Sequence, residues 1–209
     1  MIHFRNVHHV YPSQTEIFFP DLRLNEGNYR VILGNSGSGK TTMLHILAGL
    51  LRPTNGEVWF DDMDLYKKKE AERDRFRGQY VGVVFQQVNL IPALTISENI
   101  MLAQYMANHP KDRNHILELL DDLDIADKAD SYPHELSYGQ SQRAGIARAV
   151  VNNPKLLLVD EPTSNLDDRR SNQVLSLLKK QAAVHNSVLI IATHDQRVKD
   201  QFPNCIITG

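Results

Sequence analysis

Eight consecutive residues, Gly34-Asn35-Ser36-Gly37-Ser38-Gly39-Lys40-Thr41, place glycines, hydroxyl groups and one lysine in the order G-x-x-x-x-G-K-[ST]. Glycine adopts backbone conformations closed to other residues, so successive N–H groups of such a loop can turn inward toward an anion. A helix beginning at Lys40 would aim the positive end of its dipole at the same target. The Lys40 ammonium suits the β- and γ-phosphates of a nucleotide, and the Thr41 hydroxyl suits Mg²⁺, which prefers hard oxygen ligands. A second set of reactive groups closes the run Leu156-Leu157-Leu158-Val159-Asp160-Glu161. Four apolar residues ending in two acids describe a buried strand that delivers carboxylates at its C-terminal edge. Asp160 would hold Mg²⁺ through water, and Glu161 would orient and deprotonate an attacking water. The glycine-rich loop alone leaves kinases, GTPases and ATP-driven motors all open.

These groups need strands that end together and helices that start beside them. Tyr29 to Leu33 reads as the strand feeding the loop, after shorter β-like runs such as Ile2-His3-Phe4 and the turn Asn25-Glu26-Gly27. Met43, Leu44, Ile46, Leu47 and Leu50 stand at helical spacing and predict a helix from Lys40 to about Leu51, stopped before Pro53. Gly56 to Phe60 and Val81 to Phe85 read as further strands. The stretch from Leu65 to Arg77 is dense in charge, and Lys67-Lys68-Lys69 reads as the solvated face of a helix. From Pro92 to Asp130 the pattern is helical, with Ile116, Leu119, Leu120 and Leu123 on one face of a candidate inserted lobe. A helix near Gly139 to Asn152, the strand Leu156 to Val159, a helix near Arg170 to His185 and the strand Val188 to Ala192 follow. Such alternation implies βαβ units and a parallel sheet covered on both faces.

The 209 residues are 42% hydrophobic and 23% charged, which suits one globular domain. A formal net charge of -2 provides no basic field, so no nucleic-acid partner is expected. The longest apolar stretches fall short of the roughly 20 residues that span a bilayer. Met1 to Ser13 carries no apolar core of a signal peptide, so the expected compartment is the cytoplasm. Cys205 is the single cysteine, which excludes an internal disulfide and reads as an inert thiol.

Leu136-Ser137-Tyr138-Gly139-Gln140, followed by Gln142-Arg143 and Ala147-Arg148-Ala149, resembles the signature motif of ABC ATPases. It stands just upstream of the Asp160-Glu161 strand, as in that family, with Tyr138 where the family has glycine. Ser137 can cap a helix there, and Gly139 lets backbone approach a phosphate closely. Other motifs of the family appear in the family's order. Tyr11 sits where the family places an aromatic that stacks on adenine. Gln86, with Gln87 beside it, resembles the glutamine that senses Mg²⁺ and the γ-phosphate. Ser164-Asn165-Leu166-Asp167 resembles the loop that crosses the dimer interface. Thr193-His194-Asp195 resembles the switch segment, in which His194 would hydrogen-bond the γ-phosphate.

The resemblance covers essentially the whole chain and implies an α/β P-loop NTPase with a RecA-like core. An N-terminal antiparallel β subdomain and an α-helical subdomain, inserted between Gln86 and Leu136 at approximately 87–140, complete a single domain of residues 1–209. ATP and Mg²⁺ are implied, with Glu161, His194, Gln86 and Lys40 in catalysis and Thr41, Gln86 and Asp160 at the metal. The implied nucleotide contacts are Tyr11, the loop from Gly34 to Thr41, Thr42, Gln86, Ser137, Gly139, Gln140, Asp160 and Asp167. Two copies would face head to tail, each ATP held between one chain's loop and the other's signature. A separately encoded transmembrane permease would hold the pair peripherally on the cytoplasmic face of the membrane. Val84 to Pro92, Leu94 to Asn99 and Glu161 to Asp167 are most similar to the ATPases of the lipoprotein-release, macrolide-export and cell-division group. Asn89 to Ile100 is expected either to form part of a groove for a short helix of the permease or simply to close the core of the helical lobe. A transport ATPase is the leading function. The alternatives are a force-transmitting ATPase whose partner moves no substrate and a soluble ABC protein of translation or DNA repair.

Overall fold

The structure, a computed structural model, describes residues 1–164, 166–202 and 205–207. Strands β1 (Ile2–Val10), β2 (Glu16–Phe18) and β3 (Leu22–Leu24) precede β4 (Tyr29–Leu33) and helix α1 (Lys40–Leu47). Next come β5 (Asn55–Phe60), β6 (Met63–Asp64), α2 (Glu70–Tyr80) and β7 (Val81–Val84). Helices α3 (Ile96–Met106), α4 (Arg113–Asp122) and α5 (Tyr138–Val150) lead to β8 (Leu156–Asp160), α6 (Asp168–Val184), β9 (Val188–Thr193) and β10 (Cys205–Ile207). One sheet is antiparallel in the order β2-β1-β5-β6, with β3 also on β1. The other is parallel throughout, in the order β10-β4-β9-β8-β7.

Side chains alternate between the faces of a strand, and here both faces of the parallel sheet are buried, which is why its strands read as unbroken apolar runs. Val31, Leu33, Leu157, Val159, Leu189 and Ile191 enter one core with residues of α3, α4, α5 and α6. Ile32, Leu156, Leu158, Val188, Ile190 and Ala192 enter a second core with α1 and the antiparallel sheet. Within residues 87–140, α3 opens on a reciprocal cap: Glu98 N–H donates to Thr95 Oγ1 and Thr95 N–H donates to Glu98 Oε2. Buried Asn99 then fixes the preceding loop, donating to the carbonyls of Ile91, Leu94 and Thr95.

Local details depart from expectation. Helix α1 stops at Leu47 instead of about Leu51, because Gly49 turns to φ +71° and its N–H bonds back to the Ile46 carbonyl. The lysine run lies on no helix face: Lys67 ends a 3₁₀ turn, Lys68 is irregular, and Lys69 precedes α2. Strand β1 continues to Val10, and β10 is a strand that no sequence signal marked. Its Cys205 thiol donates to the Phe202 carbonyl. Among the described residues no helix is long and apolar enough to cross a membrane.

Because every pairing in the second sheet is parallel, the C-terminal ends of β4, β7, β8 and β9 emerge along one edge. Leu33 lies opposite Thr193, and Asp160 opposite Ala192, so the loops carrying Gly34, Gln86, Glu161 and His194 all start there.

Candidate active site

The turn between β4 and α1 is shaped by Gly37 and Gly39, at φ +83° and +86°. At Gly39 a Cβ would also stand 2.7 Å from Ile17 Cγ2, so conformation and space both demand glycine. No side chain caps the first N–H groups of α1, and its first turn holds no acid. The positive end of the helix is therefore left for an anion. Lys40 is only 6% exposed. Its Nζ donates to the carbonyls of Gly34 at 2.8 Å and Asn35 at 3.0 Å, and lies 3.6 Å from Glu161 Oε1. Ser38 N–H donates to the Asn35 carbonyl and tightens the turn.

Thr41 Oγ1 donates to Asp160 Oδ2 at 2.8 Å, while Asp160 Oδ1 is buried without a hydrogen-bond partner. Burial pushes the Asp160 carboxyl above its ordinary value, the Thr41 hydrogen bond opposes this, and the neighbouring Glu161 charge adds to it. An orphaned carboxylate oxygen beside a hydroxyl is a pair of hard donors that fits Mg²⁺, whose remaining ligands would be water and phosphate oxygens.

Glu161 holds a left-handed backbone at φ +47°. For a residue with a side chain this costs on the order of 1–3 kcal/mol and persists only where neighbours enforce it. The enforcing contacts are visible. Glu161 N–H donates to the Ala192 carbonyl at 2.8 Å. Its Oε2 accepts from Thr193 Oγ1 at 2.9 Å and from His194 N–H at 3.3 Å, and its Oε1 lies 3.0 Å from His194 Nδ1. Oε2 thus takes both the Thr193 hydroxyl and the His194 N–H, while Oε1, between Lys40 and His194 at the cavity wall, is the oxygen placed to accept a proton from water.

Lys40, Thr41, Glu161 and His194 line one cavity of about 600 Å³ together with Tyr11, Asn35, Ser36, Gly37, Gly39, Thr42 and Gln86. Gln86 lines it and Gln87 does not. The Tyr11 hydroxyl is bonded to Thr42 Oγ1 at 2.7 Å, which fixes the ring at the cavity wall, edge-on to His9. Ser13, Thr15 and Ile17 complete the lining and were missed from sequence. They belong to the turn after β1 and to three-residue β2, too short for a pattern, and only nearness to Tyr11 could have pointed to them.

Ser137, Gly139 and Gln140 do not line this cavity. Ser137 caps α5, accepting from Gln140 N–H, while Ser137 N–H donates to Gln140 Oε1 at 2.9 Å. A Cβ on Gly139 would meet nothing within 4 Å, so this helix end faces open space. Ser137, Tyr138 and Gly139 border a second cavity of about 240 Å³ with Arg170 and Leu177. Asp167 caps α6 through Arg170 N–H at 2.8 Å, also away from the first cavity, and Asn165 lies outside the described residues. Helix α5 holds two of the other loops: Gln142 Nε2 donates to the Pro162 carbonyl at 2.6 Å, and Arg148 donates to the carbonyls of Val88 and Asn89.

Fold and cavity are those of a P-loop nucleotide-binding protein, since the uncapped, acid-free start of α1 shares one cavity with Glu161 just past the end of β8. Residues 20–164 match the family model described as ABC transporter, and the chain belongs to that family, among its ATP-hydrolysing subunits. It is 38% identical over 203 residues to the methionine import ATP-binding protein MetN of Carboxydothermus hydrogenoformans, covering 95% of this chain but 60% of that relative. It is 39% identical over 180 residues to the lipoprotein-releasing system ATP-binding protein LolD of Syntrophotalea carbinolica, covering 85% of this chain and 79% of the relative. The second likeness agrees with the branch that the strings around Gln86 and Glu161 resemble. Among solved structures, the dimeric ATP-binding cassette MJ0796 in a post-hydrolysis state with ADP and Pi superposes with a TM-score of 0.89 at 35% identity, covering 100% of this chain and 94% of that one.

Proposed function

We propose that two copies of this chain close on two ATP molecules and that closure drives a separately encoded membrane permease from the cytoplasmic side. One observation carries this reading. The phosphate loop, Glu161 and His194 share a cavity, whereas Ser137 and Gly139 face outward elsewhere, with nothing within 4 Å of a Cβ on Gly139. A second copy placed head to tail would bring the capped N-terminus of α5 to the phosphates, with its helix dipole and the Ser137 hydroxyl. The dimeric form of MJ0796 supports the arrangement.

In this reading Lys40 and the N–H groups of the glycine loop bind the phosphates, and the ring of Tyr11 packs on adenine. Thr41 and Asp160, with Gln86 beside them, would hold Mg²⁺, which neutralises phosphate charge when bound. Glu161 accepts the proton of the attacking water. His194 Nδ1 faces Glu161, which leaves its other ring nitrogen for the γ-phosphate.

The permease contact is assigned to the outer face of α3. Within Asn89 to Ile100, the residues Ile96, Asn99 and Ile100 are buried and close the helical core. Beside them a groove of about 310 Å³ is bordered by Leu94, Glu98, Met101, Leu102, Tyr105 and Lys111, with Tyr105 60% exposed, which suits a short amphipathic helix. The likeness to LolD supports export, extraction or lipoprotein release as the work performed. Cysteines at Glu98 and Tyr105 should cross-link to a cytoplasmic loop of the co-purified permease. A complex that hydrolyses ATP yet forms no cross-link from either position would remove this surface.

A further inference from the structure

Two threonines lace together the loops that follow β8 and β9. Thr193 is fully buried at the end of β9. Its Oγ1 donates to Glu161 Oε2 at 2.9 Å and accepts from Asp195 N–H at 3.0 Å. Thr163, also buried, donates in the opposite sense, to Asp195 Oδ2 at 2.7 Å. The Thr193 carbonyl accepts from Gly34 N–H at 3.3 Å, so the same residue also touches the start of the phosphate loop.

A hydroxyl has one hydrogen to give. With Asp195 N–H directed into its lone pair, the Thr193 hydrogen is committed to Glu161, and backbone sets that direction without help from solvent. The other side chains at this carboxylate are Lys40, 3.6 Å away, and His194, whose side chain is 62% exposed. Both line the cavity that would receive the phosphates, whereas Thr193 is enclosed and lines none of it. We infer that Thr193 is a positioning residue for hydrolysis: its hydroxyl pins Oε2, so that Oε1 of Glu161 stays aimed between Lys40 and His194 for the attacking water. The inference rests on Glu161 acting as the base.

Thr193→Val keeps the branched shape and strand preference while deleting the hydroxyl. In the full chain, kcat should fall on the order of 10- to 100-fold, the size common for groups that orient a reacting ligand from behind. KM and equilibrium ATP binding should stay unchanged, and Thr193→Ser should recover most of the rate. In a Glu161→Gln background the valine should cause no further loss, because both changes act on one group. Thr193→Ala puts the same question should the valine variant fail to fold. A wild-type kcat, a parallel loss of ATP affinity, failure of serine to rescue, or further loss in the Glu161→Gln background overturns the inference. The underlying reading is separable: normal turnover in Glu161→Gln removes the base itself, whereas a stalled Glu161→Gln with an unimpaired Thr193→Val removes only the role of Thr193.

Discussion

His194 Nδ1 lies 3.0 Å from Glu161 Oε1, and His194 N–H donates to the other oxygen of the same carboxylate, although 33 positions separate the two residues. Ring and carboxylate thus form one hydrogen-bonded unit at the mouths of β8 and β9, and neither can turn without changing the other's partners.

Groups that act as a unit lose their effect together. Glu161→Gln and His194→Ala should each lower kcat by roughly 10²- to 10⁴-fold, the span associated with a positioned acid or base. The double variant should be little worse than the weaker single one. Glu161→Gln should keep its ATP affinity, whereas Lys40→Ala should lose it, since the role proposed for Lys40 is to hold the phosphates in the ground state. Single-turnover hydrolysis with equilibrium binding measures both quantities, and fully multiplicative losses would show that the pair works as two separate parts.

Tyr11 offers a ring to the cavity while its hydroxyl is held by Thr42 at 2.7 Å. Tyr11→Ala should weaken ATP binding roughly 2- to 12-fold, matching about 0.5–1.5 kcal/mol for an aromatic contact. Tyr11→Phe keeps the ring and should bind nearly as the parent does. Fluorescent-nucleotide titration distinguishes them, and a phenylalanine variant as weak as the alanine would make the Thr42 bond the operative feature.

The open end of α5 at Gly139 makes a prediction about assembly. Glu161→Gln should accumulate a dimer in Mg-ATP, because unhydrolysed nucleotide bridging two copies stabilises the associated state by mass action. Adding Ser137→Arg replaces a small cap with a bulky cation and should abolish that dimer, leaving ATP binding by the monomer intact. Light scattering with and without Mg-ATP reads the first effect, and nucleotide binding at high dilution the second. Loss of monomer binding would place the signature on the chain's own nucleotide.

Asp195 links stability to pH. Hydrogen bonds from Arg197 hold its carboxyl down at about 2, opposed by burial and aided by Thr163, against an ordinary value of 3.8. A folded-state value below the unfolded one adds stability that is complete above about pH 4 and is lost as pH falls toward 2. Over that window the melting temperature of the parent should fall more steeply than that of Asp195→Asn, and the two curves should run parallel above it. Parallel curves throughout would mean that the Arg197 bridge contributes nothing to folding in solution.

The parts of this protein that could be read in advance are those whose chemistry resides in adjacent residues. The glycine loop is a pattern of eight consecutive residues, so spacing alone exposes it, and the apolar run before Asp160 announces a strand buried on both faces. The Ser137 cap belongs to the same class, since its partner Gln140 is three residues away. Even here helix ends escaped: α1 stops because of how Gly49 turns, which its neighbours in sequence permit but do not require.

What only the tertiary structure decided is which of these residues meet. The sheet order β10-β4-β9-β8-β7 is not the chain order, and it is the insertion of β9 between β4 and β8 that brings Thr193 and His194 onto Glu161 and Gly34 onto Thr193. The register, with Leu33 opposite Thr193 and Asp160 opposite Ala192, then sets hydrogen bonds a few ångströms long between residues far apart in the chain. Strand order and register follow from how both faces of the sheet are packed at once, so no local pattern encodes them. For the same reason the left-handed backbone of Glu161 could not be foreseen, because, apart from the local bonds of Ser164 to its carbonyl, the contacts that hold it come from β9 and the loop beyond it.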